Sequence, residues 1–219
     1  MPRLLFEKTG NAIWISHLDL MRLFQRAFKR AGLPLKHTQG FNPRPSVSIA
    51  LPLSVGIESV CELLDFELDG EPLSSDEIKI RLNQTLIRGV RILDVYEVGE
   101  KLKNLTYLKS GLRMEYDNGI PENALAEIRK LFSGNSLIVE KKSKNGVSEQ
   151  DLIPMIRELE IQEAAPDTLE ITVVACCQNP SMNPLQLPAA IGKYLPQYAP
   201  AYVICKRMEI YDPTMNVFR

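Results

Sequence analysis

Residues 16–31 constrain the fold more than any other stretch, because they form a helix that cannot stand alone. Ser16 reads as its N-cap, and Asp19 three residues on completes an S-x-x-D capping box. Gly32 is the expected residue just past its C-terminus, and Pro34 blocks continuation. At about 100° per residue, Leu20, Phe24, Ala27, Phe28 and Ala31 share one face. Arg22, Arg26, Lys29 and Arg30 share the other. Isolated helices of roughly this length are marginal in water, so the apolar stripe must be covered, and a sheet is the expected cover. The basic stripe must then meet solvent or a partner.

Four cations on one stripe weakly oppose the helix, by about 0.2–0.5 kcal/mol per i,i+4 pair. Residues 16–45 hold six cations (Arg22, Arg26, Lys29, Arg30, Lys36, Arg44) against the single anion Asp19. A solvated face answered by acids elsewhere is one reading; an anion-binding surface is the other, and the loop that follows favours it. Residues 37–45 read H-T-Q-G-F-N-P-R-P. Gly40 permits backbone that other residues avoid, and the two prolines hold Asn42 and Arg44 extended. Phe41 lies between cations and either stacks on bases or plugs the loop into the core. Gln39 and Asn42 carry the amides that read base edges.

Net charge over the whole chain is −1, so no global basic character points to nucleic acid. The balance conceals a reversal: residues 58–100 hold eleven acids and four bases. Such a bipolar surface steers a polyanion to one face. The four cysteines, Cys61, Cys176, Cys177 and Cys205, show no C-x-x-C spacing, and only His17 and His37 could join them. No metal or other cofactor is expected, and the thiols read as buried and reduced. The opening MPRLLFEKTG lacks the apolar core of a secretion signal, and no run of about 18 apolar residues suits a membrane span. A cytoplasmic protein is expected.

Turn and periodicity signals place a strand at residues 3–8, an extended segment at 12–15, the helix, strands at 46–53 and 60–68, a capped helix at 74–86 and a strand at 90–98. This is β-α-β-β-α-β, the ferredoxin-like order. After a linker at 102–105, the order recurs: strand 108–116, helix 121–132, strand 136–142, a polar excursion at 141–151, extended segments at 158–163 and 169–176, helix 184–195 and strand 202–211. The expected class is therefore α+β, with tandem ferredoxin-like halves on antiparallel sheets. The first domain spans 1–100 and the second, with an insertion, 106–219.

Three motifs carry a resemblance: S-H-L-D-L-M-R-L-F-Q-R-A at 16–27, Q-G-F-N-P-R-P at 39–45 and S-V-G-I-E-S at 54–59. They resemble a bacterial family of radical-SAM-linked proteins, found alone or fused behind a radical SAM domain. The resemblance implies a radical SAM partner enzyme. The chain lacks C-x-x-x-C-x-x-C, so it is not itself that enzyme. Arg44 stands where many relatives have histidine, which weakens histidine-based chemistry there. At the level of fold alone, the duplicated order also looks like CRISPR RNA-processing endonucleases.

Three functions compete. The first is an RNA-binding accessory protein, non-catalytic, serving a radical SAM enzyme that modifies RNA, with tRNA and rRNA as candidate classes. Its site is Arg22, Arg26, Lys29, Arg30, Lys36, Gln39, Gly40, Phe41, Asn42 and Arg44. The second is a metal-independent endoribonuclease using His17 and His37 as acid and base; the bland alternative is a helix-start histidine and a surface-loop histidine. The third is a protein adaptor without nucleic acid, docking through the acidic segment or exposed sheet edges.

Overall fold

The computed structural model describes residues 2–97, 100–143 and 146–219. Internal contacts divide the chain into two units, Met1–Asn104 with Arg219, and Leu105–Phe218.

The first unit runs β1 (Pro2–Lys8), α1 (His17–Arg30), β2 (Val47–Ile49), β3 (Glu58–Phe66), α2 (Ser75–Asn83) and β4 (Val90–Glu97). β1 pairs antiparallel with both β3 and β4, and β2 pairs antiparallel with β3. The order across this sheet is thus β4-β1-β3-β2. Leu4 and Phe6 of β1, Leu64 and Phe66 of β3, and Ile92 of β4 form one core with Leu20, Phe24, Ala27 and Phe28 of α1 and Ile78 and Leu82 of α2. Both helices therefore cover the same face. Phe6 and Phe24 meet edge to face at 4.8 Å, and Phe28 and Phe66 meet at 5.0 Å. Burying each ring stabilises by about 1.5–3 kcal/mol, and each aromatic pair adds about 0.5–1.5 kcal/mol.

The second unit runs β5 (Tyr107–Glu115), α3 (Ala124–Phe132), β6 (Ile138–Ser143), β7 (Gly146–Asp151), β8 (Ile156–Ala165), β9 (Thr168–Cys176), α4 (Gln186–Tyr194) and β10 (Tyr202–Tyr211). Its sheet has the order β10-β5-β9-β8, antiparallel throughout, and β6 and β7 pair separately as a hairpin. The chain is thus a mixed α and β protein with a mostly antiparallel sheet.

Several expectations require correction. Residues 12–14 are not extended, and only Ile15 is: Gly10–Trp14 is a 3-10 turn that buries Ala12. The chain has only eight residues between β1 and α1 in which to reverse, and the buried Lys8 ammonium draws the turn in by donating to the carbonyls of Ile13 and Ile15. The strand expected at 46–53 is three residues long. It ends where Leu51 takes a φ of +46°, one residue before Pro52. The helix expected from 121 starts at Ala124, behind Asn123 at φ +65°. Part of the polar excursion at 141–151 is strand β7, exposed over most of its length. Its pairing is set by its partner β6 and leaves no apolar alternation to read; residues 144 and 145 of that excursion lie outside the described residues.

Among the described residues, no helix is long and apolar enough to cross a membrane.

Candidate nucleic-acid interface

The orientation of α1 is imposed at both ends. Ser16 accepts from the Asp19 backbone N–H at 3.2 Å and donates its hydroxyl to the Asp19 carboxylate at 2.7 Å. At the C-terminal end, the Ala31 N–H returns to the Ala27 carbonyl. With Leu20, Phe24, Ala27 and Phe28 buried, Arg22, Arg26, Lys29 and Arg30 all point into solvent.

Their charges are not equally available. Arg22 is paired with Asp19 at 2.9 Å, three residues back. The Ser16 hydroxyl and the Arg22 guanidinium together hold the Asp19 carboxyl below the usual carboxylate value. Arg30 donates to the Thr85 carbonyl, beyond the end of α2. Lys36 pairs with Glu67 at 3.5 Å, an acid from the negatively charged segment. Arg26 and Lys29 have no ion-pair or hydrogen-bond partner among the described residues. Two of the six cations, Arg22 and Lys36, are answered by acids; Arg30 keeps its charge while bonded to a neutral carbonyl, and Arg26, Lys29 and Arg44 have no ion pair among the described residues.

The loop behind α1 is a narrow hairpin. Lys36 N–H reaches the Glu67 carbonyl, and Ser46 N–H reaches the Lys36 carbonyl at 2.7 Å. His37 and Pro45 bridge above them. Thr38 N–H donates to the Arg44 carbonyl, and Arg44 N–H donates to the Thr38 hydroxyl. Residues 39–43 form the tip, with Gly40 at φ +137°. Phe41 is fully exposed, so it does not plug the core. Gln39, Asn42 and Arg44 are exposed beside it.

The two histidines do not meet. His17 is the first residue of α1, half-buried. His37 borders a cleft with Gln25, Lys29 and Gly32 at the other end of the helix. From residue 17 to residue 25 alone, the axis advances about 12 Å. A general acid and base acting on one phosphodiester need hydrogen-bond reach, so the His17–His37 ribonuclease reading loses its geometry. Among the described residues, no group of three or more His, Cys, Asp or Glu is placed to hold a metal ion. Cys61 and Cys205 are buried, whereas Cys176 and Cys177 are only partly so, which corrects the expectation for those two.

The third motif belongs to the same region. The Gly56 N–H donates to the Ile13 carbonyl at 3.0 Å. The Trp14 ring lies 3.5 Å from where a Cβ at residue 56 would sit. The Glu58 carboxylate accepts from the Gly10 N–H. Motif three thus packs on residues 10–14, just before motif one, and motif two stands past the end of α1. Sequence reasoning missed Trp14, which precedes the cap and is 65 % exposed. It also missed Gln25, and the border of the apolar and basic stripes was the available signal for that residue.

Comparison with known proteins gives a family and a fold. The model of a family described as "Uncharacterized protein conserved in bacteria (DUF2344)" matches residues 2–184. No curated protein matches. A chain in a crystal structure of a Cbf5-Nop10-Gar1 complex aligns with a TM-score of 0.57 at 10 % identity, over 95 % of this chain and 48 % of that one. Chains of an archaeal box H/ACA sRNP Nop10-Cbf5 complex and of an H/ACA RNP bound to a substrate RNA containing 2'-deoxyuridine align at 0.48 and 0.49, with 10 % and 9 % identity. Those two alignments each cover 94 % of this chain and 46 % of the other. The chain therefore spans about half the length of these three solved chains. At this identity the likeness concerns fold alone.

Proposed function

The chain belongs to the DUF2344 family of uncharacterized bacterial proteins, and from the geometry of α1 and its hairpin we propose that it is a non-catalytic RNA-binding accessory protein. The observation that carries this reading is the charge of Arg26 and Lys29, neither ion-paired among the described residues, on an exposed helix face. Each charge left without an acid adds self-repulsion, which a phosphate backbone would relieve. Arg26 is suited to bidentate phosphate contact. The fully exposed Phe41 supplies a stacking surface that is costly to leave in water without a ligand.

The finer reading of the fold follows the same lines. Both sheets have the strand order expected of a ferredoxin-like half, and the β6–β7 hairpin stands as the insertion in the second. We read the chain as a tandem of such halves, with the RNA surface on the first.

A radical SAM enzyme that modifies RNA is the proposed partner, on the strength of the three sequence motifs. Such a partner would find apolar groups apart from the hairpin: Trp14, Leu18 and Val55 are all more than half exposed, and all lie near the start of α1. RNA at one end of the helix and enzyme at the other would make the protein a presenting device.

The test is a titration of single-stranded RNA at several salt concentrations. Contact with three or four phosphates gives a slope of log affinity against log salt of about −2 to −3. Absence of binding at low salt overturns the RNA reading. Recovery of an iron–sulfur radical enzyme with the tagged wild-type protein, lost on Trp14→Ala with Leu18→Ala, tests the partner.

A further inference from the structure

Between the last two turns of α1 and the neck of the hairpin lies a cleft of about 480 Å³. That is within the ~300–1,000 Å³ of typical small-ligand sites. Its lining is mainly apolar, with Pro34 and Leu35 beside Phe28 and Leu33, which lie wholly buried behind it. Its rim is polar on both sides. Gln25 and Lys29, one turn apart, form the helix side, and His37 and Pro45, bridged to each other, form the loop side. Neither the Gln25 amide nor the His37 imidazole has a hydrogen-bond partner among the described residues.

A mainly apolar lining beneath a rim of donors and acceptors suits a ligand with flat apolar faces and polar edges. A nucleobase has that form. The Gln25 amide offers both a donor and an acceptor, which matches a base edge. Lys29 stands at the rim as a cation for the phosphate that follows. We propose that this cleft receives one unstacked base of a single-stranded nucleic acid, read at its edge by Gln25 and His37, while the hairpin tip carries Phe41 to a neighbouring base. The proposal rests on the RNA-binding reading and adds to it a base site that adjoins the backbone-contacting face and shares Lys29 with it.

The experiment uses the full chain and end-labelled single strands of about ten nucleotides. Four probes are titrated: intact RNA, the same RNA with abasic positions throughout its centre, its fully paired duplex, and the DNA strand of the same sequence. Intact RNA should bind at least about tenfold more tightly than abasic RNA or duplex. Gln25→Trp, which fills the mouth, should bring intact RNA down to the abasic level and leave abasic binding unchanged. His37→Ala, at an exposed position, should do the same in part, so the test survives if Gln25→Trp fails to fold. Equal binding of the DNA strand locates recognition in the base, and weaker binding adds the 2′-hydroxyl; both support the cleft. If intact and abasic RNA bind equally and salt-dependently, the base site is refuted while backbone binding stands. If neither binds at low salt, both readings fall.

Discussion

The guanidinium of Arg3 grips the carboxylate of Asp65 through two bonds, at 2.6 and 3.0 Å, directly across the β1–β3 pair. The Arg3 side chain is 1 % exposed and that of Asp65 is 11 %. Removing Asp65 takes both of these bonds from a buried guanidinium that keeps its bond to the Glu100 carbonyl, and breaking such a pair costs about 3–5 kcal/mol. Asp65→Ala should lower the urea midpoint accordingly. The double change Arg3→Met with Asp65→Leu should recover most of the loss, because the desolvation cost of both ions disappears with them.

Asp19 sits inside the basic face and offsets Arg22. Asp19→Asn should raise single-stranded RNA affinity at low salt by about two- to fivefold, and the gain should vanish as salt screens it. Arg26→Ala should reduce the salt slope by about 0.7. Arg22→Ala should reduce it less, since that charge is already shared. Titrations of the three variants decide the ranking, and an equal effect of Arg22→Ala and Arg26→Ala would contradict the assignment of free charge.

Gly89 enters β4 at φ +90°, and a Cβ there would stand 2.4 Å from the backbone oxygen of Thr9. Its own carbonyl accepts from the Thr9 N–H at 2.8 Å. Neither strand can retreat without losing that bond, so Gly89→Ala combines strain with a lost contact. A destabilisation of about 2–4 kcal/mol is expected by chemical denaturation.

Burial pushes the Cys205 thiol up to about 11 from an ordinary value of 9.0. The unfolded thiol ionises first as pH rises, so the unfolded state binds fewer protons between those two values and stability falls there. The contribution is whole below pH 9.0 and lost by about pH 11, amounting to about 2–3 kcal/mol. Unfolding measured across that range should show the decline, and Cys205→Ala should reduce it, leaving the share of Cys177, which burial also pushes up to about 11.

What could be read from the residues alone varied with how local the cause was. The helix α1 was legible because its cap, its stripe and its stop are all written within its own residues. Lys8 illustrates the opposite case. A lysine at the end of a strand looks like solvent-facing punctuation, and only tertiary structure sends its ammonium to the carbonyls of Ile13 and Ile15. The apparent charge of residues 16–45 was likewise incomplete, because Glu67, which answers Lys36, lies 31 residues away along the chain, and the Thr85 carbonyl that holds Arg30 lies 55 away. β7 escaped because both its faces are polar. The Asn145-Gly146 dipeptide was the one local hint of a hairpin there.

The neck of the hairpin behind α1 has a consequence for how this surface can change over evolutionary time. The bonds between Lys36 and Ser46 and between Thr38 and Arg44 close the loop before its tip begins. Residues 39–43 are therefore insulated from the core: lengthening, shortening or rewriting them leaves every buried contact of α1 in place. Selection can act on the tip as on an interchangeable cartridge, altering what is grasped without renegotiating stability. The same insulation makes residues 39–43 a natural graft site, where a foreign loop of matched ends could be installed to give the scaffold a new ligand.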